Sequence, residues 1–221
     1  MTMPLSLRLK SLFRAGLVAS AVLPAVAAQA HPHVFVVAKE EVIFGPDGLV
    51  TGVRHTWKFD DMYSSFIVQG LGPEGQVLTR EQLAPLAKTN VESLAEFGYF
   101  TVVKAAGKQS EFDAPVDYWS EESSDKLVTL HFTLPLKKPA SAKTVLSLAV
   151  YDPTYFVAFS LDDKTPVMLS AAPSGCSASV SKPKALDATD NQKLSESFFT
   201  NLSPGMDFGI KLAERAIIAC P

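Results

Sequence analysis

The chain is short of the residues that most catalytic and nucleic-acid sites require. It has two cysteines, Cys176 and Cys220, and no CxxC spacing, which leaves little basis for a thiolate metal site. It has four histidines in 221 residues. No GxSxG elbow, HExxH pair or phosphate-binding glycine loop is present, so nucleophile-elbow hydrolases, zincins and P-loop enzymes are excluded and no catalytic arrangement is expected. Internal repeats and low-complexity tracts are absent too. Beyond the first 30 residues no apolar run is long enough for a membrane helix, which needs roughly 20 residues.

What is present begins with an export signal. Residues 1–30 read as a signal peptide: Arg8, Lys10 and Arg14 with no acid, then AGLVASAVLPAVA, then the small-x-small sequence Ala28-Gln29-Ala30. The apolar stretch is interrupted by Pro24 and is too short to anchor the chain. No cysteine lies near the cleavage point, so a lipid anchor is not expected. Removing this segment takes the formal net charge from −3 to −6. An acidic chain of this kind argues against nucleic acid or an anionic membrane surface as partner, and direct membrane insertion of the mature chain is not expected. In a periplasmic, oxidising compartment the even pair Cys176 and Cys220 is most simply a disulfide that pins the C-terminus.

Residues 31–221 are expected to form one exported domain of α+β class. HVFVVAKEEVIF at 33–44 is β-rich, and Gly45-Pro46-Asp47-Gly48 is a turn signal. Leu49, Val53, Trp57 and Phe59 share one parity, so the two segments form an antiparallel hairpin. A helical insert follows at about 61–97. Asp60 or Asp61 caps its first piece, and Thr79 with Gln82 forms a capping box for the second. Leu83, Leu86, Leu94 and Phe97 give that helix an apolar stripe. After Gly98 come short β-like segments separated by turns, which predicts an antiparallel sheet or sandwich. PKALDATDNQKLSES reads as a polar linker or short helix before the closing DFGIKLAERAIIACP.

The chemically richest point is the new N-terminus. Cleavage after Ala30 exposes NH2-His31-Pro32-His33, three nitrogen donors within three residues. An α-amine titrates near about 7.7–8.0 and imidazole near about 6.5, so bare donors exist close to neutrality. The amine and the His31 ring can close a chelate on one ion, and such ligands suit copper, nickel and zinc. The square-planar mode that uses the second amide is excluded, because Pro32 has no N–H. The other reading is a polar start to the first strand. His55 shares the inward parity of Val53 and Trp57, as a core histidine or as a third ligand if the hairpin register faces it toward His33. His131 has the outward parity. Asp152, in Tyr151-Asp152-Pro153-Thr154-Tyr155, is an ordinary turn residue or a further ligand.

HPHVFV after the leader, HTWKFDDMYSSFIVQGL, LAPLAKTNVESLAEFGYFT, DYW, LHFTLPL, YDPTYFVAF and the late GC…CP pair together resemble the bacterial family called domain of unknown function 1007. The likeness covers essentially the whole mature chain. Members of that family are described as the periplasmic component of an uncharacterised ABC-type transport system and are often encoded beside nickel/cobalt-type permeases. The resemblance thus implies an accessory protein that binds a divalent transition metal, nickel or cobalt first and copper or zinc next, for an inner-membrane permease. The ligands expected are His31 and His33, with His55 and Asp152 behind them. Similar proteins often carry an aspartate-rich loop after VQGL. Here Gly72-Pro73-Glu74-Gly75-Gln76 has one carboxylate, and calcium needs about six to eight oxygens, so calcium is not expected there. Two alternatives stay open: a permease subunit that binds protein and no metal, and a copper-dependent oxidase with an N-terminal histidine brace.

Overall fold

The computed structural model describes residues 32–73, 75–184 and 207–221. The leader, His31 and most of the expected 183–197 linker lie outside them. β1 (Val34–Phe44) and β2 (Val50–Phe59) form the expected antiparallel hairpin, closed by Gly45 N–H to Leu49 O at 2.8 Å and Gly48 N–H to Gly45 O at 2.9 Å. Two helices follow, α1 (Asp61–Ile67) and α2 (Arg80–Leu94), and a 3-10 segment runs over Ala95–Phe100. Asp60 caps α1: its Oδ1 accepts from Tyr63 N–H at 2.8 Å and its Oδ2 from Phe35 N–H at 2.7 Å. One carboxylate thereby starts the helix and fixes it to β1. The Thr79–Gln82 capping box is closed in both directions.

The remaining strands are β3 (Thr101–Ala105), β4 (Lys108–Gln109), β5 (Val116–Glu122), β6 (Val128–Ala140), β7 (Leu146–Val150), β8 (Val157–Leu161), β9 (Val167–Ser170), β10 (Ser177–Ser181) and β11 (Arg215–Ala219). They sort into two sheets. One runs β5-β6-β2-β1-β8, with β9 also paired to β1; the other runs β10-β11-β7-β3-β4. The class is α+β. Pairing is antiparallel except that β8 and β9 lie parallel to β1. A hairpin cannot produce that arrangement. Here the chain passes from β2 through the helices and through β3–β7, which are shared between the two sheets, before it comes back beside β1 in the same direction.

A single large apolar cluster joins the inner faces. It takes the alternate residues Val34, Val36, Ala38, Val42 and Phe44 from β1, and Leu130, Phe132, Leu134 and Leu136 from β6. Helix α2 adds Ala87 and Val91, and Leu83 is buried one turn earlier on the same face. Of the stripe expected from sequence, Leu83 is buried and Leu94 packs against the cluster, while Phe97 falls past the helix end and is 58% exposed. Cys176 and Cys220 form a disulfide beside the β10–β11 ladder.

Gly209, in a 3-10 turn at Gly209–Lys211, packs its backbone directly on the Asp152–Pro153 turn and donates to Pro153 O at 3.0 Å. A methyl group there would run into the Asp152 carbonyl oxygen, which is backbone and has nowhere to go. Gly209→Ala is expected to destabilise the fold by about 3 kcal/mol, the upper end for overpacking. Urea denaturation checks it, and a loss under about 1 kcal/mol would show that the turn moves aside freely.

Candidate functional site

The Asp152 turn and the first residues of β1 form one unit. Asp152 is buried, and both its carboxylate oxygens fold the turn. Oδ1 accepts from the Thr154 N–H and hydroxyl at 2.8 Å each, and Oδ2 accepts from Val157 N–H at 3.0 Å. The turn then offers Phe156 O to His33 N–H at 2.9 Å and to Val34 N–H at 3.3 Å. The His33 ring tilts over the Phe156 ring, with centroids 4.8 Å apart. Tyr151, just before the turn, donates its hydroxyl to Asp207 Oδ2 at 2.8 Å, and burial together with that carboxylate pushes the phenol well above its ordinary range.

Beneath this unit lies a cavity of about 690 Å³ between the β1–β2 face, the end of α2 and the Asp152 turn. Two loops close it, and both carry left-handed backbone. Gly98, Tyr99 and Phe100 follow one another at φ 57°, 57° and 49°, and Tyr155 sits at φ 58°. Glycine tolerates this region, but each non-glycine residue in it costs about 1–3 kcal/mol. Phe100 lines the cavity, and Tyr99 and Tyr155 are chain neighbours of its lining residues Phe100, Thr154 and Phe156, so left-handed backbone sits in both loops at its edge. Tyr63 also lines the cavity, and burial, with Asp60 nearby, raises its pKa, so the phenol stays neutral at ordinary pH.

The structure brings His33 against the Asp152 turn, through Phe156, and keeps His55 apart. The hairpin register pairs Val36 with Phe59 and Glu40 with His55. His33 precedes Glu40 by seven residues along β1, roughly 23 Å at the rise of a strand. His55 is instead fully buried in the sheet core. Its Nδ1 lies 2.5 Å from Glu40 Oε2, tilted off the hydrogen-bond axis, and Nε2 has no partner. The ring stacks on Phe132 at 4.5 Å and meets Trp57 edge-on at 5.3 Å. Glu40 Oε1 accepts from Trp57 Nε1 at 3.2 Å. Glu40 was not among the expected site residues. Its signal was parity: it shares the inward face of β1 with Val36, Ala38 and Val42.

His131 is half-buried on the outer face. It sits between Thr56 Oγ1 and Glu121 Oε1, both 3.2 Å away, and stacks on Trp119 at 3.9 Å, with the Arg80 guanidinium 4.1 Å from the Trp119 ring. Burial is the main cause that lowers its pKa. Among the described residues no group of three His, Cys, Asp or Glu side chains converges in a way that would hold a metal ion.

These features define a two-sheet α+β protein with an aromatic cavity under its first strand. The chain belongs to the family described as "Protein of unknown function (DUF1007)", whose model matches residues 16–220. It is similar to an uncharacterised protein of Haemophilus influenzae, with 24% identity over 86% of this chain and 91% of that protein. It is also similar to an uncharacterised 15.5 kDa protein of Spirochaeta aurantia, with 30% identity over 43% of this chain and 67% of that protein.

Proposed function

We propose that the protein is a periplasmic accessory protein that binds a divalent transition metal through its processed N-terminus and serves an inner-membrane permease. The observation that supports the reading most is the anchoring of His33. Its backbone is tied to Phe156, and its ring rests on the same residue. His31 lies two residues upstream, a reach of at most about 7 Å from that fixed point. The α-amine and the His31 ring, with His33, would then gather at one rim. Asp152 is a poor direct ligand, because three donors of its own turn already occupy its oxygens. His55 has no route to this site. Two or three nitrogen donors leave coordination positions open, which suits an ion that is handed on.

The test is calorimetry with nickel, cobalt, copper and zinc on protein beginning at His31. One ion per chain is expected. A His31→Ala, His33→Ala variant, and protein with one alanine added ahead of His31, are each expected to bind at least about tenfold more weakly, or 1.4 kcal/mol. Absence of binding by the processed chain, or equal binding by all three forms, rejects the reading. No helix among the described residues is long and apolar enough to cross a membrane, and the disulfide fits an oxidising compartment.

A further inference from the structure

We propose that the cavity under β1 is a binding site for a small organic cation with an apolar or aromatic body, independent of any metal. The space, about 690 Å³, falls within the range of about 300–1,000 Å³ that encloses a drug-sized molecule. The rings of Trp57, Phe59, Phe97, Phe100, Phe156 and Phe159 line it. Phe97 and Phe156 are 58% and 46% exposed, so the two loops present apolar surface outward as well as inward.

Charge decides the class of ligand. The lining holds two carboxylates, Asp152 and Glu96, and among the described residues no lysine or arginine. Asp152 is buried and lines the space, and the donors that hold its oxygens in the turn are neutral N–H and O–H groups. An anionic ligand such as a fatty acid would meet repulsion with no cation to offset it. A cationic ligand would meet two carboxylates and the negative faces of aromatic rings, which attract ammonium groups at short range. The processed chain is itself acidic, which adds a weaker pull of the same sign. Left-handed backbone at Gly98–Phe100 and at Tyr155 sits in the two loops that bring Phe97, Phe100 and Phe156 to the space.

The probes are 4-phenylbutylammonium, 4-phenylbutan-1-ol and 4-phenylbutanoate, which share one apolar body and differ in the charge of the head. Binding is read by calorimetry and by tryptophan fluorescence of a Trp119→Phe variant, in which Trp57 is the remaining indole, with a chelator present. The ammonium is expected to bind one to one and at least tenfold more tightly than the carboxylate, with the alcohol between. Phe97→Ala with Phe156→Ala, both at exposed positions, is expected to weaken the ammonium at least fivefold. Glu96→Gln is expected to narrow the gap between ammonium and carboxylate. The His31→Ala, His33→Ala variant is expected to bind the ammonium as the unaltered chain does, which separates this site from the metal reading. Saturable binding of none of the three probes, a carboxylate that binds as tightly as the ammonium, or an unchanged affinity in the Phe97, Phe156 variant overturns the proposal.

Discussion

His55→Ala is expected to destabilise the protein by about 3–5 kcal/mol, the range for truncating a large ring in a packed core. The imidazole and the Glu40 carboxylate both lie in the core, at 0% and 1% exposure, face to face across the β1–β2 register. With the ring gone, the carboxylate keeps one partner, the Trp57 indole N–H at 3.2 Å. The ring fills the space between Phe132 and Trp57, so its removal leaves a cavity beside a buried polar group. At about 2–4 °C per kcal/mol for a chain of this size, the Tm should fall by on the order of 10 °C. The double variant Glu40→Leu, His55→Phe is the informative companion. Replacing both groups by apolar residues of similar volume keeps the core filled and leaves the Trp57 indole N–H as the group that loses its partner, so it should cost about 1–3 kcal/mol, less than the single variant. Denaturant titrations of the two variants decide the matter. A single variant that loses less than about 1 kcal/mol would mean that the core relaxes around a lone carboxylate, or lets water reach it.

That pair also marks how far local pattern reaches. The first hairpin was legible because Gly45-Pro46-Asp47-Gly48 fixes a turn and the following residues alternate. The caps at Asp60 and Thr79 were legible because a side chain and an N–H three residues on are enough to make them. The disulfide followed from counting cysteines. Register was another matter: HVFVVAKEEVIF alternates only when Glu40 is allowed an inward place, and apolarity alone hides it. Once the register pairs Glu40 with His55, His33 necessarily falls near the opposite end of β1, and a shared site for the two histidines is gone. The parallel placement of β8 and β9 against β1 depends on contacts more than 100 residues apart, as in Val34 beside Val157, and no local signature encodes it. The same holds for the cavity. Gly98 signalled a break in the helix, but the left-handed backbone of Tyr99 and of Phe100, whose ring lines the space, is set by packing, against their own preference.

Cys176→Ser with Cys220→Ser is expected to cost about 4 kcal/mol, the chain-entropy value for a bridge spanning 44 residues. The position of the bridge argues that much of that value is realised. Cys176 and Cys220 flank the first ladder pair, Ser177 with Ala219, so the bond clamps the open end of the ladder, opposite the end at which the chain from Ser181 to Arg215 joins the two strands. β10 is an edge strand with four of its five residues exposed, and its described sheet partner is β11. β11 is held independently, through buried Ala216 and Ile218 and its own pairing with β7. Loss of the bridge should therefore act in two stages. Amide exchange at Ser177–Ser181 should speed up first and most, while the β7 amides at Leu146–Val150 keep their protection until the whole domain unfolds. Denaturant titration then gives the global loss. A deficit near 4 kcal/mol with uniform loss of protection would mean that β10 is part of the cooperative core. A deficit below about 1 kcal/mol would mean that the unfolded chain already keeps its two ends together, and that the bridge restricts little.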